Sequence, residues 1–201
     1  MSITTHSHVE TGSASEEHHM FSKIITSEKL VLRPYEESDV SSWQKWDVDP
    51  EVQAFLPEPK NEPTSHEAGI EYLKECENES DGYYWSIVWK DSNILIGTIS
   101  FTEVSPHHGI GELGIVIGEK EYWGRGVAQE AITDILNFIS ELGLRRISAE
   151  FEEGNIGMEK VLIKLGFRKE AYLKASKIKD GHPINTVRYF YLSSQPEEDQ
   201  N

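Results

Sequence analysis

The residues with the type and spacing to do chemistry begin with a triplet, Gly124-Arg125-Gly126. It stands between an apolar run and a long amphipathic segment in ELGIVIGEKEYWGRGVAQEAITDILNFISELG, Glu112 to Gly143. A helix start leaves its first N–H groups without intrahelical partners and carries a partial positive charge of about half an electron unit, so anions bind there. Gly124 and Gly126 remove the Cβ atoms that would hold a phosphate away, and they permit dihedrals that turn several N–H groups inward. Arg125 adds a charged donor, and Arg145, Arg146, Lys160 and Lys164 are further positive charges downstream that could support it. Glycines at a strand-to-helix turn also serve tight geometry with no ligand. The triplet is neither of two common phosphate motifs: the P-loop pattern G-x-x-x-x-G-K-[ST] is absent, and the dinucleotide fingerprint would need glycine where Gln129 stands.

The elements that must hold this turn follow from periodicity. Before it, GELGIVIG reads as a strand in which Glu112, Gly114 and Val116 share one face while Leu113, Ile115 and Ile117 share the other. After it, Ala128, Ala131, Ile132, Ile135, Leu136, Ile139 and Leu142 recur at steps of three and four, one face of a helix. Upstream, Ile24–Pro34 reads as a first strand stopped by its proline, and Ser38 or Asp39 caps a short helix through Trp43 and Trp46 that ends near Asp49-Pro50. Thr64-Ser65-His66-Glu67 has capping-box spacing and opens a helix to about Glu79. YYWSIVWK and ILIGTISFTEV form a hairpin about Asp91-Ser92-Asn93, and with GELGIVIG they make an antiparallel meander. RRISAEFE is a further strand, Asn155–Leu165 a helix closed by Gly166, and Phe167–Lys177 and Asn185–Leu192 two last strands. The order describes one α/β domain around a mixed sheet.

The chain has 35 acidic against 19 basic residues, a net charge of −16. Glu10, Glu16, Glu17, Glu197, Glu198 and Asp199 at the two ends supply only a minor part, so the body itself is acidic. Such a surface repels a phosphate backbone and argues against nucleic acid as a partner, while it favours an amine or a basic peptide end. Cys76 is the single cysteine, which excludes an intramolecular disulfide and a cysteine-based zinc cluster and fits a reducing cytosol. No apolar run approaches the ~20 residues of a membrane span, and no signal pattern opens the chain, so the expected setting is cytoplasmic, with no membrane partner. His6, His8, His18 and His19 fall irregularly in a Ser/Thr-rich segment that offers no fixed coordination geometry, and no metal is expected. The composition predicts a disordered tail over residues 1–22, a domain over 23–193 and an acidic tail over 194–201.

Several segments together resemble the GNAT superfamily of N-acetyltransferases, most closely the branch of ribosomal-protein N-terminal acetyltransferases. The family's loop reads Q/R-x-x-G-x-G/A, and here it is Trp123-Gly124-Arg125-Gly126-Val127-Ala128, continued by Gln129-Glu130-Ala131. Asn155 with VLIKLGF, Val161–Phe167, is similar to the branch's asparagine-plus-LEKLGF signature, and SEKLVLRP with DVDPEV, Asp47–Val52, to its entry. The resemblance covers about residues 23–193. It implies an α/β domain of α+β type, with a mixed, mostly antiparallel seven-stranded sheet and about four flanking helices. It implies acetyl-CoA as co-substrate, bound by Trp123, Gly124, Arg125, Gly126, Val127, Ala128 and Gln129, with its pantetheine arm against the backbone of Ile115, Val116 and Ile117.

The same resemblance makes Glu112 the catalytic base, acting directly or through water. Its other reading is a solvating acid at a strand's end. An alkylammonium with a pKa of about 10.4 must lose a proton before attacking, at roughly 4.6 kcal/mol near pH 7, so a base is valuable. Asn155 either holds the cofactor arm or caps its helix. Where the branch has serine, this chain has Met158, whose thioether donates nothing. A water admitted by Gly157, or a tyrosine such as Tyr172, would have to serve as the acid, unless none is needed. Trp43, Trp46 and Phe55 line an acceptor cleft or pack the core. Cys76 has no expected base partner and is not the nucleophile. The acceptor is an amine, a protein N-terminus or a small molecule such as an aminoglycoside-type antibiotic, and a non-catalytic acyl-CoA sensor of the same fold is the rival reading. A monomer or homodimer is expected.

Overall fold

Alternating apolar residues in the middle of the chain build a single sheet, described with its helices over residues 22–193 of a computed structural model. The expectations for most of the first tail and for the acidic end lie outside the described residues. The strands are β1 (Ile25–Thr26), β2 (Leu30–Arg33), β3 (Tyr83–Trp89), β4 (Ile94–Ser105), β5 (Ile110–Ile117), β6 (Arg146–Glu152), β7 (Arg168–Lys179) and β8 (His182–Leu192). They run in the order β1-β2-β3-β4-β5-β6-β8-β7, and only β5 and β6 are parallel. The helices are α1 (Val40–Asp47), α2 (Pro50–Gln53), α3 (His66–Asn78), α4 (Val127–Glu141) and α5 (Ile156–Lys164).

The class is the expected one, with one strand and one helix more than the sequence suggested. Ile24–Pro34 is not one strand: the chain doubles back at Ser27, whose N–H donates to Leu30 O at 3.0 Å, and Ile25 then pairs with Leu32. The Asp49-Pro50 pair that ends α1 also starts α2. Asp49 accepts hydrogen bonds from the N–H groups of Glu51 and Val52, and Pro50 supplies a first helical residue that needs no partner for its nitrogen. Helix α3 is capped by Ser65, whose Oγ accepts from Ala68 N at 3.1 Å, rather than by Thr64, whose hydroxyl and N–H both go to Asp47.

The α4 stripe behaves as its period requires. Ala131, Ile132, Ile135 and Ile139 are fully buried on one sheet face against Trp85, Ile99, Phe101 and Leu113. Phe138 stands edge-on to the rings of Tyr83 and Trp85, at 5.2 and 5.4 Å between centroids. Each fully buried side chain of this size contributes roughly 1.5–3 kcal/mol. The stripe stops short of Leu142, which is 44% exposed. On the other sheet face, Trp46, Val52, Val88 and Leu95 form a smaller cluster under α1 and α2. The sheet is therefore covered on both sides, and the parallel β5-α4-β6 crossover fixes where β5 ends and α4 begins.

Candidate active site

The turn between β5 and α4 has the conformation its glycines were expected to allow. Gly124 has φ +71° and Gly126, the N-cap of α4, has φ +81°, both in the left-handed region. No side chain among the described residues caps α4. A Cβ built on either glycine would meet nothing within 4 Å, so packing does not demand glycine here, whereas the backbone conformation does. In front of the loop lies open space bordered by uncapped amides, and this fits a diphosphate. Arg125 is exposed, its guanidinium 5.4 Å from the centroid of the Tyr122 ring. Trp123 staples the loop to the strand: its indole Nε1 donates to Ile117 O at 2.8 Å. Val127 is buried, and Ala128 and Gln129 are half-buried in the first turn.

β5 and β6 pair only over Ile110–Arg146, Gly111–Ile147 and Glu112–Ser148. β6 continues to Glu152 paired with β8 alone, so β5 beyond Glu112 has a bare edge on that side. Gly118 N donates to Ile96 O at 2.9 Å, and antiparallel alternation then turns the backbone groups of Glu112, Gly114 and Val116 toward β4 and those of Leu113, Ile115 and Ile117 toward the opening. Ile115 and Ile117 thus stand where an arm would be bound, joined by Leu113. Val116 does not: its backbone is spent on β4, and its side chain lines a cavity on the opposite face.

That cavity, of about 250 Å³, lies beneath α1–α3 with Thr98 and Val116 as its floor and Tyr35, Trp43, Trp46 and Tyr72 among its walls. Trp43 stands edge-on to Tyr35 at 4.9 Å and to Tyr72 at 6.0 Å. From Val116 the face runs over Gly114, which has no side chain and whose would-be Cβ meets only Ser100 Oγ, to Glu112, about 13 Å away at strand rise. Glu112 is half-buried. Loss of hydration raises its proton affinity above the ordinary glutamate range, as do Glu103 and Glu150, while Arg188 and Lys177 act the other way.

Other expected residues fall elsewhere. Arg145 precedes and Arg146 begins β6 beside Ile110, at the far end of α4, roughly 22 Å of helix from Gly126. Arg145 donates to His108 O and Arg146 pairs with Glu170 at 2.6 Å, so neither supports a phosphate at the turn. Lys160 and Lys164 are exposed on α5. Asn155 is the N-cap of α5, its Oδ1 accepting from Met158 N at 3.1 Å. Met158 packs against the main core. Tyr172 donates its hydroxyl to Glu153 at 3.1 Å. Trp46 is core-like, donating to Glu119 and covering Gly118, yet it also borders the cavity, whereas Phe55 is 41% exposed across from Gly154. Burial pushes the Cys76 thiol up to about 11, which suits no nucleophile. Sequence reasoning missed Tyr35, Tyr72 and Thr98 as cavity walls, and Glu150 and Arg188 as neighbours of Glu112. Only the strand registers, which a single sequence does not print, could have found the last two.

β5 and β6 thus part beyond Glu112 and Ser148, with the uncapped start of α4 at the open end. A model of the GNAT acetyltransferase domain matches residues 29–168, and the chain belongs to this family. An uncharacterised N-acetyltransferase, p20, from Bacillus licheniformis is 28% identical over 173 residues, covering 85% of this chain and 97% of that one. The ribosomal protein uS5-alanine N-acetyltransferase of Escherichia coli is 28% identical over 167 residues, 78% of this chain and 84% of its own. The crystal structure of spermidine N-acetyltransferase from Vibrio cholerae, in complex with CoA and spermine, superposes with a TM-score of 0.73 at 19% identity, over 82% of this chain and 96% of that one, a likeness of fold. Among the described residues no helix is long and apolar enough to cross a membrane.

Proposed function

We propose that this chain acetylates a primary amine by direct attack, with Glu112 receiving the amine's proton. The observation that carries the reading is the end of β5–β6 pairing at Glu112 and Ser148, which frees a strip of backbone leading to the uncapped start of α4. Acetyl-CoA, when bound, supplies an acetyl group activated as a thioester. The amides of Val127, Ala128 and Gln129, with Gly124, Arg125 and Gly126, would hold its diphosphate, and the β5 backbone at Leu113, Ile115 and Ile117 its arm. One strand N–H there can hydrogen-bond the thioester carbonyl, a type of contact worth about 2.7–4 kcal/mol where such donors have been removed. Trp123 keeps the loop against the strand, and Asn155, at the start of α5, would hold the cofactor arm with its free amide group.

Glu112 is suited to its task by a raised proton affinity, which narrows the gap to an alkylammonium. The acceptor enters over Gly114, and its remote part lies in the aromatic cavity beneath α1–α3. The acidic body favours a cationic acceptor, a protein N-terminus or a small amine. No proton donor to the departing thiolate is assigned, since the Met158 thioether has none to give and the Tyr172 hydroxyl donates to Glu153. The test is thiol release from acetyl-CoA over a panel of peptides and small amines, with products read by mass. Acetylated product with wild type and its loss with Glu112→Gln support the reading; full activity of that variant would remove Glu112 from the mechanism.

A further inference from the structure

Beside Glu112 on the same face of the sheet lies a group of charges that the reaction as proposed does not use. β6 leaves β5 after Ser148, and the next β6 residue on that face is Glu150. Its side chain is only 5% exposed and is clamped from two other strands. Arg188, its cross-strand partner on β8, reaches Glu150 Oε2 with Nη2 at 2.6 Å and Nε at 3.1 Å. Lys177 on β7 approaches Oε1 at 3.5 Å. Lys177 gets there because β7 bulges between Leu173 and Lys177, with Ala175 at φ +51°. One carboxylate and two cations leave this group with a net positive charge.

We propose that Glu150, Lys177 and Arg188 form a positioning triad whose net positive charge keeps Glu112 in its proton-accepting form, with Arg188 as the principal member. The proposal rests on the reading of Glu112 as the base. The charged groups facing Glu112 are Glu103 from β4, Glu150 from β6, Lys177 from β7 and Arg188 from β8. Burial and the two carboxylates favour the protonated acid, which cannot take a proton from an amine; the two cations oppose them. Glu150 is itself ionised, and a glutamine amide oxygen in its place would still accept from Arg188. Burial alone would raise its proton affinity, but Thr186, Arg188 and Lys177 more than offset that and hold it below the ordinary range. The clamp thus holds an arginine on the base's face of the sheet without neutralising the group, since Lys177 supplies the second positive charge.

The sign of each substitution follows. Removing Arg188 takes away a cation and should move the Glu112 midpoint up; removing Glu150 takes away an anion and should move it down. A purely structural role would not give opposite signs. The experiment is a pH titration of the full chain labelled with glutamate carrying carbon-13 at the side-chain carboxyl, the Glu112 resonance being assigned by its loss in Glu112→Gln. Arg188→Gln is expected to raise the midpoint by about half to one pH unit and Glu150→Gln to lower it by a similar amount. Lys177→Met, at a side chain 42% exposed, should raise it by less and serves if Arg188→Gln does not fold. Midpoints that stay put, or that move the same way in the arginine and glutamate variants, overturn the triad. The titration needs no acceptor, so it can fail while Glu112→Gln still abolishes turnover, and it can succeed while that variant remains active.

Discussion

At the mouth of α4 the groups that would meet a diphosphate are backbone amides on an exposed turn, with Arg125 the charged side chain between its two glycines. On the opposite face, around Glu112, the working groups are side chains drawn from β4, β5, β6, β7 and β8, with Glu150 the most enclosed and carboxylates set against cations. The difference lies in what destroys each region. A backbone site is broken by adding atoms and is insensitive to most deletions, whereas a side-chain site is broken by removing a single functional group.

The variants that separate the two regions differ in size of effect. Glu112→Gln should lower kcat by about a thousandfold, within the range of a lost general base, while leaving acetyl-CoA affinity unchanged by calorimetry. A comparable loss of affinity would mean that the two regions are not independent. Gly126→Val adds a branched side chain at φ +81°, where it is strained, and fills the space before the amides. Acetyl-CoA affinity should fall at least about a hundredfold, with the α4 core and hence the circular dichroism spectrum retained. Trp123→Phe keeps an aromatic ring and loses the N–H to Ile117 O; a net hydrogen bond of about 0.5–1.5 kcal/mol predicts about two- to twelvefold weaker acetyl-CoA binding. Unaltered binding would make the staple irrelevant to the loop. Asn155→Asp retains the oxygen that caps α5 but not the amide donor, so stability to urea should hold within about 0.5 kcal/mol while affinity falls about threefold. Equal affinity would leave Asn155 as a cap alone.

The two regions also differ in how far a single sequence reveals them. The α4 turn is local: strand, glycines and helical stripe follow one another within Glu112–Gly143, and helix α4 needs no information from elsewhere in the chain. The face around Glu112 depends on register. That Glu150 opposes Arg188 follows from the β6–β8 pairing, and that Lys177 reaches it follows from a bulge in β7, neither of which has a signature in residue type. The same limit explains Arg145 and Arg146: they are close to the helix in sequence, but the crossover carries the chain to the other end of the sheet before β6 begins. The extra strand and helix had local signals that admit two readings, since Ser27-Glu28-Lys29 serves as strand or turn, and Asp49-Pro50 both stops one helix and starts another.

The central claim is that bare amides before α4 hold the diphosphate and direct the arm along β5. Soaking crystals of the wild-type chain with coenzyme A tests it most directly. The diphosphate should lie within hydrogen-bond distance of the Val127–Gln129 amides, with the arm beside Leu113, Ile115 and Ile117. Density for the nucleotide at any other surface, with this turn left empty, would contradict it.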